Sequence, residues 1–197
     1  VGAFSMAALT AGTQNTALGL NSLLRLTSGD FNTAVGVASL ENVATTDNNT
    51  AVGRQAGYFT TGAGNTYIGF RSGFGGSSAA TNNNNTAVGH SSLLSVTTGG
   101  NNTVMGRLAA DAITTGASNI VIGDSALGTA TTATETVAIG SDAMSLVQAG
   151  QAITGVVAIG QNALKGGSST TTGIDGTIAI GKDSLKVLTT GAGNTAV

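Results

Sequence analysis

The chain has 197 residues and a formal net charge of −2, and only 8% of its residues are charged, against roughly 25% in typical soluble domains. The absence of clustered Lys and Arg argues against a nucleic-acid partner. The absence of Cys excludes disulfides and thiolate metal sites. The chain holds 31 Gly but no Pro, which excludes collagen and fits a chain whose backbone amides are needed for β-sheet hydrogen bonds.

A pentapeptide close to Asn-Thr-Ala-Val-Gly recurs along the whole chain, for example at 32–36, 49–53 and 85–89. Successive motif glycines are mostly 17 residues apart, with four other intervals of 16, 20, 20 and 21 residues. Self-similarity at a fixed period indicates a repeat architecture, so we predict a single repeat region over 1–197, as a segment of a longer chain. Its coils are marked by Gly2, Gly19, Gly36, Gly53, Gly69, Gly89, Gly106, Gly123, Gly140, Gly160 and Gly181.

Each copy of the motif predicts a short β-strand that ends at the glycine. The residue before the glycine is always aliphatic or Met, and the residue two places earlier is always β-branched. Because side chains alternate along a strand, these two columns point the same way and the mostly Ala column between them points the other way. We expect the aliphatic column to fill the core, including Val35, Val52, Val88, Ile122, Ile139, Ile159 and Ile180.

After each glycine, the third residue is small and the fourth is usually Leu or Met. This pattern predicts a second short strand that closes the same core, followed by a Gly/Thr-rich turn such as 60–65. Two strands and two turns in about 17 residues predict an all-β fold. The fold expected is a parallel β-solenoid of about twelve ~17-residue coils, stacked about 4.8 Å apart.

The recurrent glycine is expected where a Cβ would clash, in a positive-φ turn or where another backbone approaches closely. The glycines assigned this structural role are Gly36, Gly53, Gly89, Gly106, Gly123 and Gly140. The Asn that precedes the strand suits stacked turns, because Asn tolerates the αL conformation and can bond amides of the neighbouring coil. A six-residue step from Val35 meets Glu41 and Asp47, which excludes the hexapeptide repeat of left-handed β-helix acyltransferases.

A coil with two short strands buries only a few modest apolar side chains, whereas ordering every residue of the coil costs conformational entropy. Stacking recovers only part of that deficit. We therefore expect several copies of the chain to associate, with the small-residue face as the contact.

Several segments resemble known repeats. "TVAIGSDAM" (136–144), "VVAIGQNAL" (156–164) and "TIAIGKDSL" (177–185) resemble the head repeats of trimeric autotransporter adhesins. "NTAVGVASL" (32–40) and "NTAVGRQAG" (49–57) are similar to repeats of phage tail fibres. The resemblance implies a homotrimer of left-handed parallel β-rolls that is extracellular, on a virion tail fibre or the bacterial surface, without catalysis.

Our leading hypothesis is a rigid trimeric shaft or head of a phage tail fibre that supports host attachment. The partners expected are the chain itself and a host-cell receptor or glycan, with no membrane insertion of this segment. The alternative is a bacterial surface adhesin head. A more remote alternative is ice binding by a flat Thr array, which is weakened because one of the two same-facing columns is aliphatic throughout.

Residues 58–76 hold five of the chain's seven aromatic residues. One interpretation is a patch that stacks on a surface glycan or contacts a protein receptor. The other, which we favour, is that the rings fill the wider space of a longer coil or contact a neighbouring subunit. The candidate residues are Tyr58, Phe59, Tyr67, Phe70, Arg71 and Phe74.

His90 is the only His and follows a motif glycine in a variable column. Because acyl-transfer chemistry needs an oriented Ser, His and Asp together, we predict a surface role for it and no catalytic residue. The acids Asp111, Asp124, Asp142 and Asp183 are spread over different coils without the spacing of calcium-binding repeats, so no metal site or cofactor is predicted, although an ion on a trimer axis stays open.

The longer coils carry 75–85, 145–155 and 165–176, which are expected to bulge as recognition loops or as length variation only.

Overall fold

A computed structural model describes residues 2–76, 80–167 and 171–197. Its described residues form a parallel β-solenoid of about ten turns, which confirms the predicted all-β class and solenoid. The strands are β1 (Thr16–Leu18), β2 (Thr33–Val35), β3 (Thr50–Val52), β4 (Thr66–Ile68), β5 (Thr86–Val88), β6 (Thr103–Met105), β7 (Ile120–Ile122), β8 (Thr132–Thr134), β9 (Val137–Ile139), β10 (Ala152–Thr154), β11 (Val157–Ile159), β12 (Ile178–Ile180) and β13 (Thr195–Ala196).

Eleven of these strands form one parallel sheet in the order β1-β2-β3-β4-β5-β6-β7-β9-β11-β12-β13. Every pairing joins equivalent positions of two successive repeats, so that Thr33 faces Thr50 and Val35 faces Val52 across β2 and β3. The remaining strands, β8 and β10, form a second parallel pair. Stacking at about 4.8 Å per strand makes the main sheet about 50 Å long.

The orientation of the strands is the reverse of the one predicted. The central residue of each three-residue strand, such as Ala34 or Ala51, is buried, whereas Val52 is 38% exposed. The residues predicted to fill the core, Val35, Val52, Val88, Ile122, Ile139, Ile159 and Ile180, instead face outward and are half-buried or exposed. The prediction was right that the two columns share a face and wrong about which face is internal.

In the described part of the chain, the predicted second strand is also absent: the residues after the glycine form a turn. The second and fourth residues of this turn have positive φ, as in Ala38 (58°) and Leu40 (48°). The left-handed conformation reverses the chain within a few residues and still points Leu40 into the core, where it is fully buried. The fourth position therefore closes the core as expected, although from a turn.

A second apolar column, seven residues after the glycine, was missed in the sequence. Its members Leu26, Val43, Val96 and Ile113 are fully buried. Together with the Leu of the fourth position, they fill the interior from the wall opposite the strand. This filling leaves room for only a small side chain at the strand centre, which explains why Ala occupies that position.

The motif glycines meet both conditions proposed for them. Gly123 has a φ of 142°, in a region that L-residues rarely adopt. A Cβ built on Gly123 would also lie 2.4 Å from the carbonyl oxygen of Gly140 in the next coil. The same close approach recurs from coil to coil, so the glycine column sets how tightly the coils stack.

The Asn residues that precede the strands form a continuous buried ladder. At its centre, the backbone N–H and side-chain Nδ2 of Asn102 donate to Oδ1 of Asn85, at 2.9 and 3.0 Å. The Nδ2 of Asn102 also donates to the carbonyl of Gly116 at 3.0 Å. Bonding to the neighbouring coil occurs as predicted, but the αL residue is the one before, such as Asn101 with a φ of 58°.

Candidate functional site

The outward face of the main sheet runs along eleven paired strands. We call it the strand face; it consists of the first and third residues of the strands of the main sheet. Its aliphatic column includes Leu18 (50% exposed) and Met105 (51% exposed). The other column is Thr from Thr16 to Thr103 and then Ile or Val from Ile120 to Ile178. The strand face thus carries only aliphatic, Met and Thr side chains, and none of them is charged.

The Tyr67 side chain lies inside the solenoid. It is fully buried, and its hydroxyl donates to Oδ1 of Asn82 at 2.8 Å. Burial raises the pKa of Tyr67 above its usual range, so that the phenol stays neutral. For Tyr67, this burial agrees with the interpretation that we favoured, in which the ring fills space inside the coil, and it excludes the alternative of a receptor contact.

The coils around Tyr67 compensate for its size. The fourth position after the glycine, Leu in most coils, is Gly57 in the preceding coil and Gly73 in the coil of Tyr67. A Cβ at Gly73 would lie 2.2 Å from the Tyr67 ring, and one at Gly57 would lie 3.0 Å from it. One large side chain from the strand thus replaces two Leu side chains from the turns.

Four of the other candidate residues form a cluster on the surface. The rings of Tyr58 and Phe74 stack with centroids 5.3 Å apart, and Phe59 packs edge-on against both. The guanidinium of Arg71 lies 4.8 Å from the centroid of Phe74. These three rings are half-buried and Arg71 is exposed, so this aromatic cluster remains accessible, and its role as a receptor contact stays a prediction.

The sixth candidate, Phe70, lies in a separate row formed by the residues directly after the glycines. The Arg54 guanidinium lies 5.6 Å from its ring centroid on one side, and the ring of His90 lies 5.1 Å away on the other. His90 is exposed. Within the described ranges, no group of three or more His, Cys, Asp or Glu side chains could hold a metal ion.

The long coils differ from the bulging loops expected. In 145–155, strand β10 pairs with β8, and Val147 and Ile153 are buried. This segment therefore extends the solenoid wall. The proposed loops 75–85 and 165–176 include 77–79 and 168–170, which lie outside the described residues.

In comparisons with known proteins, no family model, curated protein or solved structure matches the chain. The resemblance to phage tail fibres and trimeric autotransporter adhesins therefore stays a prediction. Within the described part of the chain, no helix is long and apolar enough to cross a membrane.

Proposed function

We propose that the chain is a rigid, non-catalytic segment of a homotrimeric fibre, such as a phage tail fibre, that supports attachment to a host cell. The strand face carries this proposal. Parallel sheets are normally covered on both faces, and a row of exposed apolar side chains about 50 Å long exceeds what monomeric proteins usually leave in water. Copies of the same chain are the occupants that fit this face best.

The fit follows from the repeat itself. All copies present one strand every 4.8 Å or so, and each strand offers the same pair of outward residues. Two further copies aligned at the same level would therefore match the first at every coil, with aliphatic side chains meeting aliphatic side chains. The small-residue face that we expected to form the contact between chains is buried inside each coil. We therefore propose the strand face as that contact instead.

The molar mass in solution tests this proposal. A trimer of the 19.0 kDa chain has three times that mass, about 57 kDa, which light scattering coupled to size-exclusion chromatography would measure. Circular dichroism of the same sample would confirm that the β structure is intact. A mass of one chain with intact β structure would contradict the trimer.

The bacterial adhesin head remains the alternative, because it would use the same trimeric solenoid. The two proteins differ outside this segment. Sequencing the gene to both ends distinguishes them: an outer-membrane anchor identifies an autotransporter adhesin, and a self-cleaving chaperone domain identifies a phage fibre.

One observation supports ice binding as a second candidate function. Thr16, Thr33 and Thr50 form the start of an outward Thr column at the strand spacing. The column changes to Ile and Val from Ile120 onward, which shortens the array. Thermal hysteresis of the purified chain would establish this function, and its absence would leave the fibre proposal.

A further inference from the structure

A second surface row is formed by the fifth residue after each motif glycine. In four successive coils this row reads Asp111, Gly128, Ser145 and Lys165. Because Gly128 has no side chain, it leaves a gap between Asp111 and Ser145. The gap opens into a cavity of about 320 Å³, which we call the notch.

The notch holds one buried polar group that has no hydrogen-bond partner within the described protein. Ser145 is only 7% exposed, and its buried Oγ has no hydrogen-bond partner among the described residues. Asp111 is half-buried and forms no ion pair with any cation in the described part of the chain. Burial raises the pKa of its carboxyl, and hydrogen bonds from the backbone of Asp111 and Ala112 oppose that rise. Unsatisfied buried polar groups are uncommon in native proteins and reduce stability, so the Ser145 hydroxyl indicates a ligand.

The other walls of the notch supply groups of both charges and an apolar surface. Lys165 Nζ lies 3.4 Å from Asp142 Oδ2, so the charge of Asp142 is balanced within the protein. Leu108 and Leu146 provide apolar contacts at the rim. The site therefore combines acceptors, donors and aliphatic surface in one cavity.

From this combination we propose that the notch binds a sugar residue of a surface glycan. Sugar hydroxyls both donate and accept, so they can donate to Asp111 and exchange hydrogen bonds with Ser145 while accepting from Lys165. The C–H groups of the ring would lie against Leu108 or Leu146. A free anion would face the unpaired Asp111, and a cation would face Lys165, so neither matches the whole site.

A neighbouring cavity allows more than one sugar residue. It has a volume of about 430 Å³, is mostly apolar, and shares Thr129 and Leu146 with the notch. The two volumes together fall within the roughly 300–1,000 Å³ of typical ligand sites. An oligosaccharide would therefore fit the combined groove better than a single monosaccharide.

This inference rests on the proposed attachment role and names the class of receptor. It does not depend on the number of chains, because the notch belongs to a different row of the coil from the strand face. The molar mass tests the trimer, and glycan binding tests the notch. Failure of one measurement therefore leaves the other intact.

The experiment uses the full 197-residue chain on a printed array of cell-surface oligosaccharides, followed by calorimetric titration with the oligosaccharide that gives the strongest signal. Gly128→Leu fills the notch with a side chain that the same row carries at Leu94, and should abolish binding. Asp111→Asn removes one charged acceptor and should weaken binding about tenfold or more. Glu41→Gln is the matched control, because it removes a carboxylate from the same row four coils away.

Binding that is lost in Gly128→Leu, weakened in Asp111→Asn and unchanged in Glu41→Gln would support the site. Absence of any array signal from the folded wild-type chain would overturn it, as would binding that none of the notch variants affects. If Gly128→Leu fails to fold by circular dichroism, Asp111→Asn and Ser145→Ala provide the same test without adding volume.

Discussion

At the residue scale, one glycine column carries two separate constraints. The φ of each motif glycine, such as 142° at Gly123, is strained for any residue with a Cβ. The carbonyl of the next coil then occupies the space that a Cβ would need. Either constraint alone favours glycine. Gly181 in the last coil is subject only to the first constraint, so it allows the two to be measured separately.

Gly123→Ala should lower the free energy of unfolding by at least about 1 kcal/mol per chain, with a further loss because the added methyl group meets the carbonyl of Gly140. Urea denaturation and the melting temperature would measure the effect. Gly181→Ala is the matched control, because Gly181 has a φ of 117° but nothing within 4 Å of its Cβ position. Equal losses in the two variants would show that close stacking contributes nothing.

Asn102→Ala should destabilise the chain more strongly than a surface Asn substitution. It leaves the Gly116 carbonyl and the Asn119 amide groups without their buried partner, and each such group costs about 1–3 kcal/mol. Asn194→Ala at the exposed end of the chain is the control. Similar melting temperatures for the two variants would mean that the buried ladder is not a stabilising element.

At the element scale, each coil is a strand wall and a turn wall that share one narrow interior. Most coils fill it with Ala from the strand and Leu or Met from the turn. Where the strand contributes Tyr67, the turns contribute Gly57 and Gly73; where it contributes Val104, the turn contributes Ala110. In these coils the smaller turn residue offsets the larger strand residue; the coil with Val121 and Leu127 is an exception.

This exchange of volume between strand and turn predicts that stability lost at Tyr67 can be restored by larger residues at Gly57 and Gly73. Tyr67→Ala alone should lose about 3–5 kcal/mol, as large-to-small substitutions of buried aromatic residues do. Adding Gly57→Leu and Gly73→Leu restores the arrangement of the other coils, since both glycines have the positive φ of the Leu residues they would imitate. The triple variant should regain most of the melting temperature.

If the triple variant melts no higher than Tyr67→Ala, the volume exchange is wrong. Tyr58→Ala serves as the control, because Tyr58 is a half-buried surface ring. Its loss should cost less than the loss of Tyr67, and the two added Leu side chains should not restore it.

At the scale of the whole molecule, the solenoid buries its interior side chains and leaves the strand face uncovered. The stacked coils bury the Ala and Leu columns and the Asn ladder within one chain. The aliphatic column outside them stays half-buried or exposed when a single chain folds. Association of copies is the step that would remove it from water.

Ile122→Asp should separate the proposed trimer into single chains while keeping the β structure. It places one carboxylate per chain at the same level of the strand face, where like charges would lie buried and unpaired. Light scattering would show the mass fall to that of one chain. Thr115→Asp, which adds the same charge in an exposed turn, should leave the mass unchanged; a trimer that survives Ile122→Asp would place the interface elsewhere.

The aromatic residues show how far the sequence predicts the candidate sites. Their clustering in 58–76 was visible in the sequence, but the inward position of Tyr67 was not, because an aromatic ring suits either face of a strand. Gly57 and Gly73 stand where most coils carry Leu, and these two small residues were the signal that could have revealed the position of Tyr67. The notch escaped notice because its residues come from different coils and meet only through stacking.

The sequence by itself determined the repeat, the position of the strand before each motif glycine, the stacking of equivalent residues and the glycine column, because period and backbone chemistry are local properties. Only the tertiary structure decided which strand face is internal. Alternation places Val and Thr together on one face, but the choice between faces depends on the space left by Leu40 and Val43 from the opposite wall. That volume belongs to the closed coil and cannot be read from any single segment.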